Sequence, residues 1–397
     1  MGGMSAVVTA ELLDRVRDRL AASAQSPVPA TVAAAIRTEA GGVIGDTDML
    51  AALRILQTEL TGAGPLEPLL SEPGVTDVLV TAPDQVWIDR GRGLERTGVQ
   101  FADEAAVRRL AQRLALSAGR RLDDAQPWVD GRLPGVGQGA FGVRLHAVLA
   151  PVASGGTCLS LRVLRPATQG LAALRASGAV TEEGYDLLAR IVLARLAFLV
   201  VGGTGAGKTT LLAALLGEVD PAERIVCVED AAELAPAHPH VVRLVARAPN
   251  VEGVGEVSVR QLVRQALRMR PDRLVVGEVR GAEVIDLMTA LNTGHDGGAG
   301  TIHANSPSEV PARLEALAAL GGMGRDALHS QLAAAVQVVL HVHRSADGTR
   351  RLREIGLVEV DSTGRVHIVP AWSAESDAVP GQRGLHELLA RRCGEKR

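Results

Sequence analysis

The stretch that decides the fold of this chain is Gly202-Gly203-Thr204-Gly205-Ala206-Gly207-Lys208-Thr209, a complete G-x-x-x-x-G-K-[ST] phosphate-binding loop. The apolar run at 196–201 before it predicts a buried parallel strand, and the run at 210–216 after it predicts a helix. A strand, a glycine loop and a helix are the arrangement that this motif requires. An ordinary glycine-rich turn is the alternative, but Lys-Thr in register between these two flanks disfavours it.

Each position of the loop has an expected role. The glycines let backbone N–H groups turn inward around phosphate oxygens, with the N-terminus of the helix behind them. Lys208 is expected to reach the β- and γ-phosphates, and the Thr209 hydroxyl is expected to bind Mg²⁺. The predicted nucleotide-binding residues are Gly202, Gly203, Thr204, Gly205, Ala206, Gly207, Lys208, Thr209 and Thr210.

Composition limits the classes of protein that remain. The chain has 397 residues, enough for two or three domains, and 47% of them are apolar. A net charge of −3 gives no global attraction to nucleic acid, and 2% aromatic residues leave few platforms for base stacking, so direct nucleic-acid binding is not expected. Arg190 and Arg195 interrupt the best apolar run, so any membrane association is expected only through partners.

The pattern of apolar and polar residues changes along the chain. Residues 9–60 show helical periodicity, which predicts an N-terminal helical region at 1–61. Short strands around one helix then predict a small α+β domain at 62–166, followed by a linker at 167–171. Alternating strands and helices predict an α/β domain with a largely parallel sheet at 172–360. A C-terminal tail at 361–397 is expected to be loose from 373 onwards, with one short helix.

Two carboxylate clusters follow apolar strands of the α/β domain, and strand ends are where such sheets place ligands. Glu229, Asp230 and Glu233 form the first cluster, which can orient or deprotonate a water or can equally be a solvated loop. Glu278 ends the strand at 273–277, where a Walker B strand is expected. Generic Walker B strands end in Asp, but a glutamate there can still serve Mg²⁺ through water.

A third polar cluster contains two histidines around a glycine-rich turn at 293–306. We interpret His295 and His303 as phosphate sensors, although lone histidines are usually structural. Metal ligation is less expected, because no third ligand lies at a suitable spacing.

In this order, the loop and the three clusters resemble the Walker A, Asp, Walker B and His boxes of the type II and type IV secretion ATPases. The boxes are Val-Glu-Asp-x-x-Glu, Val-Gly-Glu-Val-Arg and Thr-Gly-His…Ile-His-Ala-Asn. Stretches at 64–70, 75–80, 119–123 and 159–162 are similar to the N-terminal domain of the tight-adherence (Tad/CpaF-like) pilus branch. The resemblance covers roughly residues 60–360. It implies a RecA-like P-loop NTPase domain behind the smaller α+β domain.

The resemblance also implies residue roles. Glu233 matches the water-activating glutamate, Glu229 and Asp230 complete its box, Glu278 matches the Walker B glutamate, and His295 and His303 match the His box. The family's N-terminal domain supplies arginines that neutralise phosphate charge, and Arg144 and Arg162 match them best, with Arg132 and Arg165 as lesser candidates. Surface salt bridges are the alternative for each arginine. The glycine-rich stretch at 135–142 is longer than the family's short turn.

The implied function is ATP hydrolysis with Mg²⁺ by a homo-oligomer, expected to be a hexamer, in the cytoplasm at the inner face of the cell membrane. The motor would act on an inner-membrane platform protein that moves pilin subunits. A conjugation-type transfer ATPase is one alternative, and a nucleotide-gated scaffold with little turnover is another. Retention of Lys208, Glu233, Glu278 and both histidines disfavours the scaffold.

Overall fold

The computed structural model describes the residues in the ranges 9, 11–12, 15–16, 19, 29–41, 44–60, 62–133, 142–165, 167–250, 252–376 and 378–394. Contacts divide the chain into two compact units, residues 1–165 and residues 166–397. Each unit has its own core and is described by itself.

The first unit combines helices with one antiparallel sheet. Its helices are Pro29–Glu39, Asp46–Leu60, Glu67–Ser71 and Glu104–Ser117, with a 3₁₀ turn at Gly64–Leu66. Its strands are β1 (Asp77–Ala82), β2 (Gln85–Asp89), β3 (Leu94–Arg96), β4 (Trp128–Leu133), β5 (Val143–Val148) and β6 (Cys158–Val163). Within the described ranges they form one sheet in the order β3-β2-β1-β6-β5-β4. Alternate side chains of β5 are buried, which packs one face of the sheet into the core.

Strand β4 is absent from the strand pattern that the sequence predicts. Gly131 interrupts its apolar alternation, and a Cβ at that position would lie 2.7 Å from the Cβ of Ala118. The glycine therefore makes room for the end of helix Glu104–Ser117 against the sheet. The glycine-rich stretch at 135–142 lies outside the described residues except for Gly142, as does most of the predicted N-terminal helical region before residue 29.

The second unit is the α/β domain. Its helices are Leu171–Ala176, Glu182–Leu193, Lys208–Gly217, Val259–Ala266, Glu283–Asn292, Val310–Leu320, Arg325–Ala335 and Gln382–Gly394, with 3₁₀ turns at Leu267–Met269 and Pro307–Glu309. Its strands are β7 (Phe198–Val201), β8 (Ile225–Glu229), β9 (Val241–Val245), β10 (Arg273–Val279), β11 (Ala299–Ile302), β12 (Val338–Arg344), β13 (Arg350–Val360) and β14 (Val366–Ser373).

These strands form a mixed sheet in the order β14-β13-β12-β7-β11-β10-β8-β9 across the described part of the unit. Strands β12 to β9 in that order run parallel, and β13 and β14 add an antiparallel edge. Phe198 and Val200 of β7 face the core that contains helix Lys208–Gly217, while Leu199 and Val201 face the core on the other side of the sheet. The prediction of an α/β P-loop fold is confirmed.

Strand β11 replaces part of the polar glycine turn that the sequence predicts at 293–306. It lies between β7 and β10, at the centre of the sheet. A Cβ at Gly298 would lie 2.7 Å from the carbonyl oxygen of Leu274, and a Cβ at Gly300 would lie 3.3 Å from that of Val276. These glycines allow close packing in the strand, where the sequence pattern indicates a loop.

The C-terminal segment also differs from the loose tail that the sequence predicts. Strand β14 pairs with β13 over its whole length. Leu385 and Leu389 of helix Gln382–Gly394 are fully buried in the core of the α/β domain. None of the helices in the described ranges is both long enough and apolar enough to cross a bilayer.

Candidate nucleotide-binding site

The phosphate-binding loop runs from the end of β7 to the start of helix Lys208–Gly217. Gly205 and Gly207 have φ values of +69° and +99°, which favour glycine. A Cβ at Gly202 would lie 2.3 Å from the carbonyl oxygen of Val342, so this position has no room for a side chain. Backbone conformation therefore requires glycine at Gly205 and Gly207, and close packing requires it at Gly202.

Lys208 is almost buried beside the loop, with 7% of its surface exposed. Its Nζ donates to the carbonyl oxygens of Gly202 at 3.0 Å and Gly203 at 2.9 Å. Burial lowers the pKa of Lys208, and the nearby Glu278 carboxylate partly opposes that shift. The ammonium group is held at the mouth of the loop, where it can meet phosphate oxygens.

His303 connects this lysine to the carboxylate at the end of β10. Its Nδ1 lies 3.4 Å from Lys208 Nζ, and its Nε2 lies 2.7 Å from Glu278 Oε1. Strand β11 sets this geometry, because Ile302 pairs with Val201 and His303 therefore follows directly beside the loop. Burial lowers the pKa of His303, and the charge of Lys208 lowers it further.

Glu278 also contacts Arg280, two residues along the chain. Nη2 of Arg280 contacts Glu278 Oε2, and Nη1 lies 3.4 Å from Asp230 Oδ2. This arginine therefore joins the two carboxylate clusters. Burial would raise the pKa of Glu278, but the contact with Arg280 and the charges of Arg280 and Lys208 hold it below its usual range. Glu278 is therefore ionised near neutral pH.

Glu233 lies beside Thr209, the second residue of the loop helix. Its Oε2 accepts a long hydrogen bond of 3.5 Å from the Thr209 hydroxyl. A carboxylate and a hydroxyl at this spacing fit the way that proteins bind Mg²⁺, through few protein oxygens together with water and substrate phosphates. No group of three or more His, Cys, Asp or Glu side chains in the described ranges is arranged to hold a metal ion by itself.

Glu229 has a different place from its neighbours in the same cluster. It is 3% exposed, and its Oε1 accepts from the backbone N–H groups of Glu233 at 2.9 Å and Leu234 at 2.8 Å. Burial raises the pKa of Glu229 to about 7. The geometry gives Glu229 the role of fixing the turn that carries Glu233.

Gly277 precedes Glu278 near the end of β10, and the packing around it requires a glycine. A Cβ at Gly277 would lie 2.8 Å from Cγ of Glu229. The carbonyl oxygen of Gly277 also accepts from the buried Thr301 hydroxyl at 2.7 Å. A glycine here lets the buried glutamate of β8 cross the end of β10.

A cavity of about 350 Å³ opens beside these groups. Its walls are Gly202, Gly203, Thr204, His303, Ala304, Asn305, Glu309 and Arg313. It lies where the start of the phosphate-binding loop meets the segment after β11, which places Lys208 and His303 at its edge.

His295 takes no part in the contacts of this cluster, and its assignment to phosphate stays a prediction. It precedes β11, whereas His303 follows it. The carbonyl oxygen of Gly298, between His295 and the strand, accepts from Phe198 N–H at the start of β7, and the loop follows the opposite end of β7. The His295 ring instead contacts the carbonyl oxygen of Ala290 at 3.1 Å.

The arginines that the sequence singles out belong to the first unit. Arg132, Arg144 and Arg162 pair in register across β4, β5 and β6, so they share one face of that sheet. Arg144 binds both carboxylate oxygens of Asp130, at 3.1 and 2.7 Å. The ion pairs and backbone contacts of this group are Arg144–Asp130, Arg162–Asp77 and Arg165 to the carbonyl oxygen of Val75. The assignment of these arginines to phosphate stays a prediction.

Arg280 is the residue of the cluster to which sequence reasoning assigned no role. The signal that could have found it is its spacing, because Arg280 follows Glu278 by two residues just past the end of β10, and extended chain places residues i and i+2 on the same side. The box Val-Gly-Glu-Val-Arg contains this arginine.

Comparison with known proteins agrees with this geometry. Residues 59–393 match the family described as type II/IV secretion system protein. A protein of Mycobacterium tuberculosis whose name assigns it provisionally to conjugal transfer is 71% identical over 351 residues, which cover 88% of this chain and 99% of that protein. The conjugal transfer protein TrbB of Rhizobium radiobacter is 31% identical over 296 residues, covering 73% of this chain and 85% of that protein.

The chain therefore belongs to the family of type II/IV secretion system proteins. Among solved structures, the VirB11 ATPase from the Brucella suis type IV secretion system, in complex with sulphate, is similar, with a TM-score of 0.40 and 27% identity. The match covers 76% of this chain and 96% of that one.

Proposed function

We propose that this chain is the ATP-hydrolysing motor of a type II/IV secretion or pilus apparatus. The observation that carries the proposal is the chain of contacts from Lys208 through His303 to Glu278 beside a complete phosphate-binding loop. Lys208 supplies a cation, His303 supplies a ring that can sense phosphate, and Glu278 supplies a carboxylate that is ionised near neutral pH. That set fits hydrolysis of a terminal phosphate, in which positioning and charge stabilisation do most of the work.

The geometry supports the following roles. Lys208 would bind the β- and γ-phosphates, and Thr209 and Glu278 would hold Mg²⁺, Glu278 through water. Glu233 orients and deprotonates the attacking water, and its contact with the Thr209 hydroxyl supports this role because it places the carboxylate beside the phosphate-binding loop. His303 contacts the γ-phosphate and links its presence to Glu278. Mg²⁺ supplies charge neutralisation on the phosphates when it is bound.

The cellular setting of this proposal comes from the family. The chain works as a homo-oligomer, expected to be a hexamer, in the cytoplasm against an inner-membrane platform protein. Its cargo is a pilin subunit of a Tad-type pilus or an exported substrate. Opening and closing of the ring subunits on ATP and ADP would drive the cargo.

A conjugation-type transfer motor is the second candidate. Relatives of this chain in Mycobacterium tuberculosis and Rhizobium radiobacter are named for conjugal transfer, which favours it. A DNA affinity that falls steeply with salt would support this candidate over the pilus motor. Weak binding of DNA that does not change with salt concentration would favour the pilus motor.

The catalytic proposal is tested by Glu233→Gln. We expect the variant to bind ATP as the wild type does but to lose turnover, because the amide cannot take a proton from water. Glu183→Gln, on an exposed helix turn, is the matched control and should keep turnover. Turnover that survives in Glu233→Gln, or ATP binding that disappears with it, contradicts the role of Glu233.

A further inference from the structure

The β12–β13 hairpin lies directly against the phosphate-binding loop, on the side away from Glu278. Strand β12 pairs in parallel with β7, and His341 is opposite Val201, the last residue of β7. Residues 342–344 therefore continue beside the loop. The contact is close, because the Val342 carbonyl oxygen lies 2.3 Å from where a Cβ of Gly202 would be.

Two arginines at the end of this hairpin reach the loop. Arg344 and Arg350 are direct partners in the β12–β13 register. Arg350 Nε donates to the Gly205 carbonyl oxygen at 2.8 Å, and its Cδ lies 3.5 Å from where a Cβ of Gly207 would be. Arg344 Nη1 lies 3.4 Å from where a Cβ of Gly205 would be.

The two arginines place two guanidinium groups beside the phosphate-binding loop. Guanidinium groups bind phosphate through charge-assisted hydrogen bonds. A phosphate group held by the N–H groups of the loop would lie within the field of both guanidinium groups.

The topology of the sheet decides which phosphate this is. Strand β12 lies on one side of β7, while β11 and β10, which carry His303 and Glu278, lie on the other. The groups proposed for the γ-phosphate are therefore across the loop from the arginine pair. The glycines that the pair touches are those that cradle the α- and β-phosphates in such loops.

We propose that Arg344 and Arg350 bind the α- and β-phosphates, which ATP and ADP share; this inference rests on the proposed ATPase function. Arg350 also anchors the loop through its hydrogen bond to the Gly205 carbonyl oxygen. The pair sets the affinity for either nucleotide and leaves the chemical step to the groups on the opposite side of the loop.

The test is the affinity of Arg344→Gln and Arg350→Gln for fluorescent ADP and ATP analogues, together with kcat at saturating ATP. We expect both affinities to fall by the same factor, about tenfold or more for a lost hydrogen bond to a charged group, with kcat changed by less than about twofold. Arg351→Gln is the matched control, because neighbouring strand residues face opposite sides and Arg351 is exposed. Arg344→Lys, which keeps the charge, should recover part of the affinity.

Three outcomes separate this inference from the proposal that it rests on. A wild type that binds no nucleotide contradicts the ATPase proposal itself. A wild type that binds normally, with both glutamine variants unchanged, overturns only the arginine pair. Weakened ATP binding with unchanged ADP binding also overturns it, because the arginines would then act on the γ-phosphate. Thermal unfolding of every variant identifies any loss of nucleotide affinity that comes from misfolding.

Discussion

His303 Nε2 lies 2.7 Å from Glu278 Oε1, and Nδ1 of the same ring lies 3.4 Å from Lys208 Nζ. A neutral imidazole with its proton on Nε2 fits both contacts, because the protonated nitrogen then faces the carboxylate and the lone pair of Nδ1 faces the ammonium. Burial lowers the pKa of His303, which keeps the ring neutral at pH 7. One ring thus joins the lysine of the loop to the carboxylate of β10.

Replacement of His303 by Ala should lower kcat and spare ADP binding. The ring is placed to contact the terminal phosphate, and loss of one donor to a developing charge costs roughly a hundredfold in rate. The measurement is steady-state turnover together with ADP affinity. His367→Ala, a half-exposed histidine on β14, is the control. Equal loss of ADP binding would mean that His303 supports the loop instead.

Replacement of Arg280 by Gln should move the acid limb of the kcat–pH profile to higher pH. Burial raises the pKa of Glu278, and Arg280 is the strongest of the groups that lower it. Without the guanidinium the carboxylate protonates at a higher pH, so activity is lost sooner as pH falls. The exposed Arg353→Gln should leave the profile in place. An unmoved acid limb in Arg280→Gln would remove Glu278 as the titrating group.

Glu229→Gln should change how stability depends on pH. The pKa of Glu229 is raised from 4.5 to about 7, so the folded state binds more protons than the unfolded state between those values. Stability of the wild type is therefore lost through this group as pH rises through that window. Relative to the wild type, the glutamine variant should gain up to about 3 kcal/mol in free energy of unfolding across it. Denaturant unfolding at several pH values measures this difference, and a constant difference would contradict the buried state of Glu229.

Gly277→Ala should disturb both stability and turnover. The new Cβ would lie 2.8 Å from Cγ of Glu229, which must move and release the turn that carries Glu233. We expect a loss of about 1–3 kcal/mol in the free energy of unfolding, with a lower kcat. Gly98→Ala meets no atom within 4 Å and is the control. A fully active Gly277→Ala variant would show that Glu229 does not position Glu233.

The sequence predicts the phosphate-binding loop and its flanking elements well because their chemistry is local. Lys208, Thr209 and the strand and helix around them follow from consecutive residues. Strand β11 is different, because Gly298 and Gly300 are required by neighbours that lie far away in sequence. A local pattern therefore indicates a loop where tertiary packing makes a strand.

In the candidate site, too, local sequence does not predict contacts that depend on residues far away in the chain. The sequence treats His295 and His303 alike, and only the register of β11 with β7 places one of them beside the loop. Arg350 contacts Gly205 across 145 positions of sequence, so no local pattern predicts it. The polar sequence from 373 onwards predicts a loose tail with one short helix, but apolar residues of that helix, such as Leu385 and Leu389, are buried.

The most direct test of the account is steady-state ATPase activity of the purified chain as a function of protein concentration, with Lys208→Ala as the control. The account predicts Mg²⁺-dependent turnover that rises more than in proportion to concentration, as expected for an assembling motor, and that vanishes in the variant. Tight nucleotide binding without turnover at any concentration, or turnover that survives in Lys208→Ala, would contradict it.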